Sequence, residues 1–420
     1  MSEELGVAKS KSLSLLFLTS DKYPPFRPAA KAIFTDEFKC RGHKVDWLIQ
    51  AEAAGHKGGR KVTAAGTVYL AGNNGQISLS GRVRKYASEF LNNLRILYLP
   101  FVRQYDLVQV KDRYFSATLA LIAAKLSRTP YFYWLAYPHA EAHALEAEQG
   151  FARYPRLYRV RAAYQSFLLY RVILKFADHA FVQSEQMRRD IAAKGIDESH
   201  MTAVPGSVTL GDIPYKSSAL AQLSQAETIL YVGTLIRERH LEFLIQAFAR
   251  TYALRPTARL RIVGKGENPE DEQLLRDEIS RLGLMSVVEL VGQLPLEDVF
   301  PEIANSAVCV SPYYPSWILN STSPTKLIEY MAMGKPVVGN DHPEQTQVLE
   351  LSGAGLVTPW DAEQFGERCA ELLANPERSA EMGRAGRLWV EQNRTNKHLA
   401  DVVQTTYQRV LANHGRTHND

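Results

Sequence analysis

Short apolar runs alternate with longer amphipathic segments along this chain, and the pattern starts again after a polar stretch. The apolar runs that predict strands include 13–18, 106–110 and 130–135 in the first series, and 228–233, 260–266 and 307–312 in the second. Buried strands that alternate with helices predict parallel sheets covered by helices. The polar, serine-rich residues 207–226 are typical of a linker. We therefore predict an α/β protein with two Rossmann-like, doubly wound parallel-sheet domains, 1–206 and 227–395, followed by a terminal segment 396–420.

Length and cysteine content limit the class of protein further. A chain of 420 residues is long enough for two or three domains with large cores. Cys40, Cys309 and Cys369 are widely spaced, which predicts neither a disulfide framework nor a metal site and fits a reducing cytoplasm. No uncharged run reaches the roughly 18 residues that a spanning helix needs. We expect a cytoplasmic protein that is not integral to a membrane.

The stretch from Ser321 to Pro336 carries the strongest functional signal, because it predicts a helix that begins beside an anion. Ser323 is a good N-cap and Pro324 suits the first helical position. The amides of the next residues, Thr325, Lys326 and Leu327, would lie unpaired at the positive end of the helix dipole. Lys326 adds a positive charge that the dipole alone disfavours, and a bound phosphate would explain it. The alternative is a core helix that buries one apolar face, formed by Leu327, Ile328, Met331 and Ala332.

The sequence Lys-Leu-Ile-Glu-Tyr-Met-Ala-Met-Gly-Lys-Pro-Val-Val, starting at Lys326, resembles the signature of retaining family 4 glycosyltransferases with the GT-B fold, in particular a bacterial polysaccharide-type subgroup. The resemblance implies that Glu329 binds the ribose of a nucleotide-sugar donor and that the helix start holds its diphosphate. The family usually carries a second glutamate eight residues earlier, and this chain has Ser321 there. The resemblance also implies that the terminal helix crosses back to the first domain, and paired glycines of the family are replaced by Pro28, Ala29 and Ala30.

Three glycine-containing turns are the other predicted donor contacts. Gly233 follows the first strand of the second series, with Arg237 and Arg239 shortly after it, and the resemblance assigns such cations to the diphosphate. Thr234 replaces the arginine that the family usually carries directly after this glycine. Gly264 and Gly292 follow the next two strands and are expected to border the nucleotide. The alternative for the arginines is pairing with Glu238 and Glu242 on the surface.

In the first half, His139 follows a predicted parallel strand, at the end where ligands bind in open α/β sheets. The resemblance implies a contact with acceptor or sugar, and the alternative is a histidine on a solvent-facing loop. With Arg239 and Lys326, His139 completes the predicted catalytic set.

The first half is also basic: residues 1–200 hold 29 Lys and Arg against 18 Asp and Glu, whereas the formal net charge of the chain is +4. Basic side chains alternate with aromatic ones near 81–90 and 151–175, a pattern that suits an interfacial helix on anionic lipid. A solvated helix face is the alternative, and no recognised nucleic-acid motif accompanies the pattern. The residues expected to face the membrane or the acceptor are Arg82, Arg84, Lys85, Arg153, Arg156 and Arg159.

These features predict a glycosyltransferase that moves a sugar from a nucleotide-diphosphate sugar to a lipid-linked or polysaccharide acceptor. The resemblance implies retention, and the absence of an Asp-x-Asp motif favours a reaction with no metal and no cofactor. Fixed cations and helix-end amides can neutralise the leaving diphosphate without a metal. We expect peripheral contact with the anionic inner face of the membrane and no contact with nucleic acid. A GT-B nucleotide-sugar epimerase or hydrolase, or a non-catalytic nucleotide-sugar-binding scaffold, remain the alternatives.

Overall fold

The computed structural model describes residues 12–25, 29–73, 79–148, 154–215 and 227–416. These residues form two compact units, and neither unit is one continuous segment. Unit 1 takes the described residues up to Val182, together with Ile191–Val204 and the chain from Ala400. Unit 2 takes Gln183–Asp190 and Pro205–Leu399. The predicted limits 1–206, 207–226, 227–395 and 396–420 stay predictions, although the last helix is shared between the units at residues 399 and 400.

The described part of unit 1 contains an eight-stranded sheet in the order β3-β4-β2-β1-β5-β6-β7-β8. All neighbouring strands are parallel except β3 and β4, which form an antiparallel hairpin. β5 and β6 are buried along their whole length, as expected for strands covered on both faces. The strands are β1 (Ser14–Tyr23), β2 (Lys44–Ala51), β3 (Gly59–Thr63), β4 (Gly66–Ala71), β5 (Leu107–Lys111), β6 (Tyr131–Leu135), β7 (His179–Val182) and β8 (Met201–Ala203).

Helices connect these strands and supply the apolar residues that cover the sheet. Two helical segments, Ala29–Glu37 and Phe167–Ile173, have wide π-type turns, and each continues into a short α-helix. Short 3-10 turns lie at Leu94–Leu97 and Glu198–His200. The α-helices are α1 (Phe38–Cys40), α2 (Leu79–Asn93), α3 (Leu99–Val102), α4 (Tyr114–Leu126), α5 (His139–Glu148), α6 (Pro155–Ser166), α7 (Leu174–Phe176) and α8 (Glu185–Ala192).

The described part of unit 2 contains a six-stranded, fully parallel sheet in the order β11-β10-β9-β12-β13-β14. The strands are β9 (Thr228–Val232), β10 (Arg259–Val263), β11 (Val288–Gly292), β12 (Val308–Ser311), β13 (Val337–Asn340) and β14 (Gly355–Thr358). The helices are α9 (Glu242–Leu254), α10 (Pro269–Arg281), α11 (Leu296–Asn305), α12 (Trp317–Asn320), α13 (Thr325–Ala332), α14 (Pro343–Ser352), α15 (Ala362–Ala374) and α16 (Pro376–Asn393). The last helix, α17 (Asn396–Arg416), begins in unit 2 and belongs to unit 1 from Ala400. Two short 3-10 turns lie at Leu210–Asp212 and Arg237–Arg239.

The predicted fold class is confirmed: both units are α/β, with parallel strands that alternate with helices. At the start of the predicted linker, Val208 forms a parallel β-bridge with Thr395, and both residues belong to unit 2. Residues 216–226, and with them the rest of that linker, lie outside the described residues, as does Pro28. Within the described ranges, no helix combines the length and the apolar character needed to cross a bilayer.

Candidate functional site

The three predicted glycine turns of unit 2 lie side by side at the carboxyl ends of β9, β10 and β11. The Gly233 amide donates to the Val263 carbonyl at 3.0 Å, and the Gly264 amide donates to the Gly292 carbonyl at 2.9 Å. Gly264 has φ of +151°, and a Cβ added there would lie 1.8 Å from the Gly233 carbonyl oxygen. Only glycine permits this close approach. Turns that are far apart in sequence therefore form one backbone-lined edge.

Helix α13 is fixed to this edge by one phenol. The hydroxyl of Tyr330, a fully buried residue, accepts a hydrogen bond from the Val232 amide at 2.8 Å. Val232 is the last residue of β9 and directly precedes Gly233. The helix that carries Lys326 and the Gly233 turn are thus held together inside one unit.

The start of α13 corrects part of the sequence prediction. The helix begins at Thr325, and Pro324 occupies the N-cap position, with no side-chain cap. Ser323 is therefore not the N-cap, and Pro324 is not the first helical residue. The reason is that the Ser323 hydroxyl has other partners: it accepts from the Gly206 amide at 2.8 Å and donates to Glu344 Oε1 at 2.7 Å.

Glu344 belongs to a buried polar cluster behind the helix start. Its Oε1 also accepts from Arg394 Nη1 at 2.9 Å, and its side chain is 7% exposed. Burial raises the pKa of the Glu344 carboxyl, although Arg394 and Ser323 act in the opposite direction. The cluster connects the residues before α13 to α14 and to the end of α16. The position of the helix start is therefore set by hydrogen bonds that sequence spacing did not indicate.

The first turn of α13 has no side-chain cap, so its amides keep their capacity to bind an anion. Thr325, Lys326 and Glu329 are half-buried, and Lys326 Nζ lies 2.7 Å from Glu329 Oε2. The apolar face predicted for this helix is confirmed, since the four residues named for it are buried: Leu327, Ile328, Met331 and Ala332. The core-helix interpretation and the phosphate interpretation are thus compatible.

Ser321 lies immediately before this region and is buried. Its hydroxyl donates to the Asp190 carboxylate, and its carbonyl accepts from Ser184 Oγ at 2.7 Å. Ser184 Oγ also accepts from the Met187 amide in the first turn of α8 at 3.0 Å. A serine at this position thus brings a carboxylate from α8 next to the Ser321 hydroxyl. Sequence reasoning missed Asp190 because it lies 131 residues earlier in the chain.

Arg239 and Arg237 follow the Gly233 turn in different environments. The Arg239 Nε donates to Thr234 Oγ1 at 3.0 Å, and its guanidinium carbon lies 5.4 Å from the centre of the Tyr313 ring. Arg239 makes no ion pair with any carboxylate of the described residues, so the predicted alternative of pairing with Glu238 or Glu242 does not apply to it. Arg237 is exposed.

An aromatic group that the sequence analysis did not single out lies beside these arginines. The Tyr313 backbone is held by the Asn340 side chain, which accepts from its amide at 2.7 Å and donates to its carbonyl at 2.8 Å. The Tyr314 ring lies 4.0 Å from the His240 ring. A Tyr-Tyr pair directly after a buried strand was the sequence signal for this group.

In unit 1, His139 is the first residue of α5, just beyond the carboxyl end of β6, and is half-buried. Its ring lies 5.0 Å from the ring of Tyr137. Two charged residues at the same edge of the sheet were not predicted: Lys111 Nζ lies 3.2 Å from Asp21 Oδ2, and both side chains are buried. His139 therefore lies at the end of the sheet that its sequence position predicted.

The basic residues predicted for a membrane or acceptor surface are described in part. Arg84, Arg156 and Arg159 are exposed and Lys85 is half-buried. Arg153 lies outside the described residues, and the Arg82 side chain is likewise not described. Large apolar side chains are exposed on the same helices, namely Val83, Tyr86, Phe90, Leu91, Leu157, Val160 and Tyr164.

Two glycosyl transferase family models match this chain. Residues 37–206 match the family described as "Glycosyl transferase 4-like domain", and residues 226–375 match the family described as "Glycosyl transferases group 1". The chain is 29% identical over 177 residues to an exopolysaccharide phosphotransferase of Streptomyces coelicolor, covering 42% of this chain and 17% of that protein. Across four curated relatives, the alignments span between 17% and 52% of the relative's length, about half at most.

Solved structures share the fold over nearly the whole chain. A sucrose-phosphate synthase of Thermosynechococcus elongatus has a TM-score of 0.67 at 18% identity, covering 95% of this chain and 99% of that chain. The Anabaena protein HepE, in complex with UDP and glucose, has a TM-score of 0.66 at 15% identity, covering 94% and 100%. The two halves of this chain thus match two glycosyl transferase families, and its fold is the GT-B fold.

Proposed function

We propose that this protein transfers a sugar from a nucleotide-diphosphate sugar to a lipid-linked or polysaccharide acceptor, with retention of configuration and without a metal. The observation that carries the proposal is the arrangement within unit 2. An uncapped helix start with Lys326 is fixed through Tyr330 to the glycine turns after β9 and β10. Similarity to the Anabaena protein bound to UDP and glucose supports a nucleotide sugar as the donor.

The residues of this edge match the needs of a leaving diphosphate. Negative charge builds up on the phosphate oxygens as the sugar departs, and fixed positive groups stabilise that charge without reorganisation. Lys326 and the amides of the first turn of α13 supply one such group, and Arg239 supplies a second. The Arg239 guanidinium is held beside Thr234 and Tyr313, and its planar fork of N–H groups suits phosphate oxygens.

Glu329 and the donor itself complete the proposed reaction. Glu329 lies one turn into α13, where its carboxylate can accept hydrogen bonds from the ribose hydroxyls. In the proposed mechanism, a phosphate oxygen of the donor takes the proton of the attacking acceptor hydroxyl on the face from which the diphosphate leaves. The new glycosidic bond then forms on that same face, and no side-chain base is required. His139 is proposed to contact the acceptor from the carboxyl edge of the first sheet.

Binding and product analysis test this function directly. The purified chain is titrated by calorimetry with UDP-, GDP- and ADP-linked sugars, and we expect one of them to bind. With that donor and a lipid-linked acceptor, we expect a glycosylated product whose new linkage has the anomeric configuration of the donor, as read by NMR. If no nucleotide sugar binds, the donor assignment is wrong. Release of free or epimerised sugar with no acceptor product would favour the hydrolase or epimerase instead.

The proposal that the acceptor is lipid-linked is based on the surface of unit 1. Exposed aromatic and aliphatic side chains alternate with Arg84, Arg156 and Arg159 on α2 and α6. Helix α4 contacts both the 94–97 turn and the 167–173 segment and exposes Phe115 and Ile122, so the apolar groups lie on neighbouring elements. Apolar side chains flanked by cations suit the boundary of a bilayer with anionic headgroups. We therefore propose that this surface holds the protein on the membrane that carries the acceptor.

A further inference from the structure

A cavity lies in unit 1, away from the carboxyl edge of its sheet. It has a volume of about 770 Å³, within the range typical of small-molecule sites. Thr129 lies two residues before β6 and Asp178 one residue before β7, so the cavity opens at the amino-terminal ends of these strands. His139 and the Lys111–Asp21 pair lie at the opposite ends of the strands. The cavity is therefore separate from the edge that the transfer reaction is proposed to use.

Basic side chains from two elements converge on this cavity. Arg128 follows α4, and Arg409 projects from α17. Lys125 and Asp178 also line it, and they cancel one another, with 2.8 Å between Lys125 Nζ and Asp178 Oδ1. Among the described residues, neither Arg128 nor Arg409 makes an ion pair. Two guanidinium charges thus remain uncompensated by carboxylates.

The helix ends at the cavity do not remove this charge. The carboxyl ends of α4 and α17 lie nearby, and each contributes about −0.5 of an elementary charge. Together they offset about one of the two guanidinium charges, and a net positive potential remains. The pKa of the neighbouring His179 is lowered to about 3. Burial is the largest cause, and the electrostatic effects of Arg409 and His200 act in the same direction.

The rest of the lining offers polar groups suited to oxygen-rich ligands. Thr129, Ser199 and Asn413 line the cavity and can donate hydrogen bonds to phosphate oxygens. Arg128 and Arg409 are exposed at the mouth, where planar guanidinium groups can each contact two oxygens of one phosphoryl group. The volume exceeds what an inorganic anion alone would fill.

We propose that this cavity is a binding site for a phosphorylated small molecule or headgroup, whose phosphoryl oxygens are held by Arg128 and Arg409. The site is distinct from the proposed donor site in unit 2 and does not depend on the transfer reaction. The shared chemistry is a phosphate monoester or diphosphate, whether it is carried by a soluble sugar phosphate or by a lipid.

Calorimetry with pyrophosphate on the full chain tests the proposal, because pyrophosphate is a probe for both sites. We expect two binding events for the unmodified chain. In the double variant Arg128→Gln, Arg409→Gln, one of the two events is expected to weaken at least about tenfold in affinity, because both charge-assisted contacts to the phosphoryl oxygens are removed. Lys326→Ala is expected to weaken only the other event. Arg384→Gln, an exposed arginine on α16, is the matched control and is expected to change neither.

The outcomes separate the two proposals. If the double variant binds pyrophosphate with the same stoichiometry and affinity as the unmodified chain, the cavity site is refuted, whatever Lys326→Ala does. If the double variant loses one event while Lys326→Ala changes nothing, the cavity site stands and the proposed donor site fails. Glucose 6-phosphate and vesicles that contain phosphatidic acid then identify the source, because only the physiological class should show binding that depends on Arg128 and Arg409.

Discussion

Lys326 and Glu329 form an ion pair within one helical turn, and the proposed function gives each a second partner in the donor. A helical ion pair of this spacing contributes little to stability, about 0.2–0.5 kcal/mol. Fixed charges that face a leaving diphosphate contribute much more to the reaction, about 10²-fold or more in rate. These magnitudes separate a structural role from a functional one.

We expect Lys326→Ala and Glu329→Ala each to lower kcat/KM for the donor by about 10²-fold or more while leaving the unfolding midpoint within a few degrees. Steady-state kinetics and thermal unfolding check the two parts. Lys397→Ala and Glu350→Ala, exposed residues of the same unit, serve as matched controls and should retain activity. Near-normal activity in both site variants would contradict the site.

A buried histidine makes the stability of unit 2 depend on pH. His342 Nε2 lies 2.9 Å from the Leu319 carbonyl, which requires a proton on Nε2, and Nδ1 accepts from the Gln345 amide. Burial lowers the pKa of His342 to about 4. The native state therefore keeps the imidazole neutral at a pH where the unfolded chain, with a pKa of about 6.5, binds a proton.

It follows that the contribution of His342 is fully present above about pH 6.5 and is lost as the pH falls toward 4. Between pH 7.5 and pH 5 we expect a loss of about 2 kcal/mol from this residue. Urea denaturation of the unmodified chain and of His342→Asn at both pH values measures it, since the difference between the two proteins cancels other titrating groups. The gap should shrink by about 2 kcal/mol at pH 5. A gap that does not change with pH would contradict the argument.

The sequence predicted which residues lie at the helix start better than it predicted their hydrogen-bond partners. Thr325 and Lys326, which were predicted to face a phosphate, lie at the helix start as the motif indicated. Ser323 was misassigned because its hydrogen bonds go to Gly206 and Glu344, residues that local spacing cannot identify. Asp190 beside Ser321 was missed for the same reason.

At the scale of elements, the strand and helix pattern was largely predictable because buried parallel strands read as short apolar runs. The residue pattern does not predict a helix at α14, and the reason lies in the inner face of that helix. This helix buries Glu344, Gln345 and Ser352 along with apolar residues, so its hydrophobic periodicity is interrupted. The π-type turns at 29–37 and 167–173 likewise have no signature in the residue pattern.

Tyr330 connects two elements, and its removal tests the connection. In Tyr330→Phe the buried Val232 amide loses its hydrogen-bond partner, which costs about 1–3 kcal/mol. We expect that loss in urea denaturation together with weaker donor binding, because α13 and the Gly233 turn are no longer held in register. Tyr252→Phe is the matched control, since the Tyr252 hydroxyl has no hydrogen bond to a described residue. Equal donor affinity in Tyr330→Phe and in the unmodified chain would show that the phenol does not position the site.

At the scale of the molecule, the two-domain α/β architecture followed from the repeated alternation, but the course of the chain between the units did not. Gln183–Asp190 belongs to unit 2 although the residues on both sides of it belong to unit 1. A boundary drawn along the sequence assumes that each domain is contiguous. Only the contacts of α8 and of the last helix reveal the discontinuous assignment.

The excess of positive charge in the first half makes a prediction for the whole protein. The variant with Arg84, Lys85, Arg156 and Arg159 changed to Gln should sediment less with anionic vesicles, because each basic residue near the surface contributes about 1 kcal/mol. High salt should weaken vesicle binding of the unmodified chain as well. A variant with four exposed charges changed elsewhere, at Arg259, Arg276, Arg281 and Arg384, is the control. Binding that is insensitive to both salt and the first set of substitutions would rule out this surface.

The contact between Gly264 and the Gly233 carbonyl has a practical consequence for engineering. The loops after β9 and β10 pack against one another through the backbone of Gly233 and Gly264. An exchange of one loop for that of a relative therefore has to preserve this close approach. A chimera that transplants both segments together preserves this contact, whereas a library that substitutes Gly264 forces a Cβ against the Gly233 carbonyl.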